Sequence, residues 1–92
     1  MPEEVRRVAD LLERRYAITV LWASTSGATR FNEFRQAVDG VSPRTLTERL
    51  RDLERAGVLE RRLVPASPPY AEYRLTPRGR RLAQVVRALQ AL

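Results

Sequence analysis

Ser42-Pro43 and Thr76-Pro77 each place a hydroxyl side chain directly before a proline, and this pairing fixes where two helices begin. The hydroxyl oxygen accepts from a free amide of the first turn, while proline sits where its missing N–H and fixed φ suit a helix start. After the first signal, Leu46, Leu50 and Leu53 fall at i, i+4 and i+7, and Gly57 closes the helix. After the second, Leu82, Val85, Val86, Leu89 and Leu92 form the apolar stripe of a last helix. The chain between them cannot be helical throughout, because Pro65 to Pro69 is a Pro/Ser loop. Val58 to Val64 and Tyr70 to Leu75 read as strands on either side of that loop, so the two signals enclose a β-hairpin.

Upstream, Val5, Val8, Leu11 or Leu12, and Tyr16 recur at helical spacing behind Pro2, with Glu3 and Glu4 where the helix dipole favours acids. The apolar run Ala17 to Ala23 suits a buried strand or a buried helix, and the order of the following elements favours helix. Ser24 to Gly27 is a polar stop. Thr29 is placed to cap a short helix with apolar positions Phe31, Phe34 and Val38, ended by the turn dipeptide Asp39-Gly40. Two short helices joined by a tight turn make a helix-turn-helix unit, and a hairpin directly after it makes a wing. The expectation is a mainly α fold with a small β-hairpin, a winged helix-turn-helix. It is expected as one domain over 1–92, with the helix-turn-helix at about 29–57, the wing at about 58–75 and terminal dimerisation helices at about 3–15 and 77–92.

A chain of 92 residues has room for one compact core. It contains no Cys and no His, which excludes thiol nucleophiles, disulfides, Cys/His metal sites and imidazole bases. The remaining carboxylates are scattered along helix surfaces with no pair placed to share a pocket, so neither an enzyme nor a cofactor or metal site is expected. All 17 basic residues are Arg against 11 acids, a net charge of +6. Arginine's planar donor fork suits phosphate and carboxylate, which points to nucleic acid, anionic lipid or an acidic partner. The stretch from Tyr16 to Ala28 is too short for a membrane span, and the N-terminus has no apolar signal core. A soluble cytoplasmic protein is expected.

Four segments carry a resemblance. Gly27-Ala28-Thr29-Arg30-Phe31-Asn32-Glu33-Phe34 resembles G-x-x-R-F-x-E-L, and Gly40 to Leu50 is similar to G-I-S-x-x-x-L-T-x-x-L. Leu53-Glu54-Arg55-Ala56-Gly57 matches L-E-x-x-G. Pro68-Pro69-Tyr70-Ala71-Glu72-Tyr73-Arg74-Leu75-Thr76-Pro77-Arg78-Gly79 follows P-P-x-V-E-Y-x-L-T-x-x-G with one substitution, Ala71. In this order they resemble the HxlR-type winged helix regulators of bacteria. The resemblance implies a homodimeric, sequence-specific regulator of transcription that binds double-stranded DNA. It also implies a thiol switch in those members that sense oxidants. Here the family's Cys-Pro pair is missing, and Glu13-Arg14-Arg15-Tyr16 stands in place of Gly-Gly-Lys-Trp, so a cysteine redox switch is not expected. Control of this chain falls to another signal or to none, and the small-molecule effector is unknown.

On a helical wheel, the face opposite Leu46, Leu50 and Leu53 carries Arg44, Glu48, Arg51 and Arg55, flanked by Thr45, Thr47, Arg49 and Asp52. Arg44, Thr45 and Glu48 are the candidates for base contacts, with Thr47, Arg49 and Arg51 beside them. Ser42 and Pro43, at the helix start, suit a phosphate. Thr29 and Arg30 are further backbone candidates. Of the wing residues Arg61 and Arg62, which point to opposite faces, one is expected to face DNA. Val5, Val8, Leu12, Leu82, Val85, Val86 and Leu89 are the candidates for the dimer interface. Arg78, Arg80 and Arg81 crowd a helix N-terminus, where they suit phosphates or, preferably, the Glu3, Glu4, Asp10 and Glu13 helix of a second subunit. A winged helix serving as a protein-interaction or assembly module is the alternative.

Overall fold

The computed structural model describes residues 1–92 and contains seven elements: α1 (Glu3–Leu12), α2 (Ala17–Thr25), α3 (Phe31–Ala37), α4 (Pro43–Arg55), β1 (Leu59–Val64), β2 (Tyr70–Leu75) and α5 (Pro77–Gln90). The strands form an antiparallel hairpin whose register runs from Leu59 opposite Leu75 to Val64 opposite Tyr70. Five helices and one hairpin in this order are a winged helix-turn-helix.

Both helix starts take the form that their sequences dictate. Ser42 Oγ accepts from the Thr45 amide at 3.0 Å with Pro43 in the first turn. Thr76 Oγ1 accepts from the Gly79 amide at 2.9 Å with Pro77 in the first turn. The Thr76 hydroxyl also donates toward the Gly57 carbonyl, so one side chain caps α5 and ties it to the end of α4. Gly57 itself has φ +74°, a left-handed conformation that lets the chain leave α4 and enter β1. Gly79 answers to a different constraint. A Cβ there would lie 2.0 Å from the Val58 carbonyl oxygen, so only glycine lets α5 pack against the start of the hairpin.

The ambiguous run from Ala17 is a helix, and it lies at the centre of the molecule. Ala17, Val20, Leu21 and Ala23 are buried, and α1, α3, α4 and α5 all pack on α2. Leu46, Leu50 and Leu53 of α4, Phe34 of α3, Val58, Leu59 and Val86 complete the core. Tyr73 packs against this cluster and meets the Phe34 ring edge-on at a centroid distance of 6.4 Å. α4 is thereby held by its apolar stripe, which leaves the opposite face outward.

Three expectations about the elements are corrected. α1 ends at Leu12, short of the expected 15, and Tyr16 lies beyond it in a left-handed conformation with φ +70° that turns the chain into α2. Thr29 does not cap α3. Arg30 occupies the cap position, and the Glu33 carboxylate reaches back to accept from the amides of Arg30 at 2.9 Å and Thr29 at 3.0 Å. The Thr29 hydroxyl is itself a donor to that carboxylate, at 3.2 Å, and the helix starts one residue later than a Thr29 cap would set it. Finally, Val86 is 2% exposed and belongs to the protein's own core, so it has no free surface for a second subunit.

Candidate nucleic-acid interface

The outward face of α4 begins at Arg44, whose side chain is 91% exposed and meets only Glu48, at 3.5 Å. Hydrogen bonds around the first turn decide what each hydroxyl can still offer. Ser42 donates to Thr45 Oγ1 at 3.1 Å while accepting from the Thr45 amide, so its proton is committed within the chain. Thr45 Oγ1 accepts that proton, which leaves its own hydroxyl free to donate outward. Thr47 donates back to the Pro43 carbonyl at 2.8 Å and so presents its methyl group and an acceptor lone pair. Arg51 and Arg55 are exposed along the same helix.

Arg49 departs from the expected arrangement. It is turned from the outward face onto Asp52, at 2.8 Å, and also reaches Glu48, at 3.3 Å, with only 14% of its side chain exposed. Asp52 is the hub of this group, because Arg14, from the segment between α1 and α2, reaches its other oxygen at 2.8 Å. A guanidinium paired and covered in this way serves the packing of α4 and is withdrawn from a phosphate. Glu48 stays half exposed between Arg44 and Arg49.

At the N-terminus of α3, Arg30 finds a partner that its position in the sequence does not suggest. Its guanidinium stacks on the ring of Tyr70 at 3.4 Å from the ring centroid, which joins α3 to the first residue of β2. Beside the stack is an open cleft of about 500 Å³ lined by Phe31, Asn32, Gln36 and Tyr73 among others. Glu33 is the one acid at this cleft, and its carboxyl is held below the usual glutamate range by the backbone hydrogen bonds from Thr29 and Arg30. On the wing, Arg61 shares a face with Leu59 and Tyr73, and Arg62 lies on the other face and pairs with Glu60 at 3.2 Å. Both arginines are exposed.

The arginines at the start of α5 are also partly committed. Arg78 donates to Glu4 at 2.6 Å and to the Ala56 carbonyl at 3.0 Å, so it binds α5 to α1 and to the C-terminus of α4 within one chain. The acid expected from a second subunit is thus supplied, at Arg78, by the same chain, and this contact lowers the pKa of Glu4. Arg80 donates to the Leu75 carbonyl at 3.2 Å. Of the apolar candidates at the terminal helices, Val5, Val85 and Leu89 are exposed, while Leu12 and Leu82 are partly covered by the protein's own core and Val8 is half-buried. No group of three or more acids is gathered in a way that could hold a metal ion, and no helix is long and apolar enough to cross a membrane.

Residues 11–92 match the family model described as HxlR-like helix-turn-helix. The chain belongs to the HxlR family. Among HxlR-type relatives, a helix-turn-helix type transcriptional regulator of Synechocystis sp., itself uncharacterised, is 40% identical over 88 residues, which are 96% of this chain and 65% of that protein. The chain thus spans a little under two thirds of that relative's length. The reduced form of the transcriptional regulator YodB from Bacillus subtilis superposes with a TM-score of 0.86 at 30% identity, covering 99% of this chain and 89% of that one. A possible HxlR family transcriptional factor from Thermoplasma volcanium superposes at 0.77 with 29% identity, covering 91% and 75% of the two chains.

Neither Arg14–Asp52 nor Arg30–Tyr70 was evident from sequence. Tyr70 occupies the open position of the HxlR-type motif P-P-x-V-E-Y, and Arg14 lies in the segment that departs from Gly-Gly-Lys-Trp. The one available signal was at Arg30, a cation set against the dipole at a helix start.

Proposed function

We propose that this chain is a sequence-specific, double-stranded DNA-binding regulator of transcription that acts in the bacterial cytoplasm as a homodimer. The observation that carries this reading is the N-terminal half of α4. It presents Arg44, Thr45, Thr47 and Glu48 outward on a helix whose other face is locked into the core. Arg44 suits guanine O6 and N7, Thr45 donates to a base acceptor, Thr47 offers its methyl to thymine, and Glu48 accepts from cytosine N4. Ser42 and Pro43 set the helix start at the backbone, Arg30, with Thr29 beside it, approaches a neighbouring phosphate, and Arg51 with one of the two wing residues Arg61 and Arg62 extends the backbone contacts. Arg49 is not part of this surface.

The dimer reading rests on the exposed apolar residues of the terminal helices, Val5, Val85 and Leu89, with Val8, Leu12 and Leu82 at their margins. Two copies of α4 about 34 Å apart would enter successive major grooves of a pseudo-palindromic site. These 92 residues have no thiol to oxidise, so their affinity for DNA is expected to be indifferent to diamide or peroxide. Selection of bound sites from a random duplex pool tests the reading: a symmetric motif supports it, and equal recovery of all sequences sinks it.

A further inference from the structure

We propose that Tyr70 is a positioning residue that holds the Arg30 guanidinium, donor edge outward, for one phosphate of the DNA backbone at the junction of α3 and the wing; this deepens the DNA-binding reading and rests on it. Three observations carry it. The guanidinium lies 3.4 Å from the Tyr70 ring centroid, in contact with the face of the ring, so one of its own faces is covered by an aromatic surface. Its N–H groups lie in the guanidinium plane and donate to no acceptor of the chain, although Arg30 itself is exposed. The nearest acid, Glu33, already accepts from the Thr29 amide and hydroxyl and from the Arg30 amide, so it does not claim the guanidinium.

A stacked guanidinium with an unused fork is matched to a tetrahedral oxyanion. Stacking removes much of the rotational freedom an exposed arginine would lose on binding, while the in-plane donors stay free for two oxygens. The same contact fixes the wing. The Tyr73 amide donates to the Thr29 carbonyl at 2.8 Å, and with the Arg30–Tyr70 stack this gives β2 two adjacent attachments to the residues that open α3. The position of Arg30 is therefore set by the strand that carries the wing. Its chemistry is set by the ring of Tyr70, at the position the HxlR-type motif leaves open.

The test measures the affinity of the full chain for a selected duplex at several salt concentrations, using R30A, R30K, Y70F, Y70L and the double variant R30A/Y70L. Loss of one phosphate contact in R30A should weaken binding about tenfold and reduce the slope of log affinity against log salt by about one. Y70F keeps the ring and should bind like the native protein. Y70L should weaken binding about three- to fivefold, the equivalent of an exposed cation–π contact. It should have no further effect once Arg30 is gone, and R30K, which keeps the charge and loses the planar fork, should fall between R30A and the native protein. An unchanged salt slope in R30A, or independent effects of R30A and Y70L, overturns the proposal even if Y70L loses stability, because R30A alone carries the slope. Salt-independent or absent binding by the native protein instead removes the DNA-binding reading beneath it.

Discussion

Arg14 donates to Asp52 across 2.8 Å and ties the turn between α1 and α2 to the C-terminal half of α4. Asp52 shares its other oxygen with Arg49, also at 2.8 Å, and the two side chains are 12% and 14% exposed. α4 is thus fastened on one side by apolar contacts and on another by a largely covered carboxylate. Asp52→Ala would leave Arg49 with Glu48 alone in a site that water reaches poorly. The expected loss is about 1–3 kcal/mol, as for a covered charge stripped of its best partner. Urea denaturation measures it, and a change below about half a kcal/mol would mean that solvent replaces the carboxylate.

Gly79 supplies a test with an unusual sign. Alanine in place of glycine inside a helix ordinarily stabilises by roughly 1 kcal/mol. In α5 the added methyl would meet the Val58 carbonyl at 2.0 Å, with the Leu75 side chain at 3.1 Å. Backbone cannot yield as a flexible side chain can, so Gly79→Ala should destabilise by about 2 kcal/mol or more and lower the Tm. A raised Tm would show that α5 and the hairpin part easily.

What the sequence made legible was local. Ser42-Pro43 and Thr76-Pro77 name their helices because the cap, the proline and the first-turn amides are within three residues of one another. Gly79 was visible as a motif letter, but its reason is the Val58 carbonyl, 21 residues earlier in the chain. Thr29 was a reasonable cap by residue type, but the helix begins one residue later, and the Thr29 amide and hydroxyl both donate to Glu33. Val86 shares a stripe with Val85 and Leu89, and a helical wheel gives an angle without saying which neighbour covers it. Arg49 and Arg30 share one reason: a wheel or a place in the first turn locates a guanidinium, while Asp52 and Tyr70 decide where it turns.

Hydroxyl bookkeeping on α4 separates two threonines that look alike in sequence. Thr45 keeps a free proton and Thr47 has committed its own to the Pro43 carbonyl. On a selected duplex, Thr45→Val should therefore reduce discrimination at one base position by about 1–3 kcal/mol. Thr47→Val keeps a methyl and should leave the preference nearly intact. Arg44→Ala should relax preference at a guanine by a similar amount. Binding measured against every single-base change in the site checks all three, and equal effects of the two threonine variants would contradict this division of roles.

Glu33 makes part of the stability depend on pH. Its carboxylate accepts from the Thr29 amide at 3.0 Å and the Arg30 amide at 2.9 Å, and these bonds lower its pKa in the folded protein. Folding therefore favours the ionised form, and the unfolded chain takes up a proton first as the solution is acidified. The stabilisation is complete above the unfolded-state value of about 4.3 and is lost as the pH falls through the lower folded-state value. Glu33→Gln retains a carbonyl acceptor for the amides but has no charge to titrate. Native protein should thus be the more stable at about pH 6, and its advantage over the variant should shrink toward about pH 3. Glu4, whose pKa is lowered first by its hydrogen bond from Arg78 and then by the charge of that arginine, titrates in the same direction but is present in both proteins, so the difference isolates Glu33. Urea midpoints at each pH measure it; an advantage that stays constant down to pH 3 would mean that the carboxylate's charge contributes nothing to holding the start of α3.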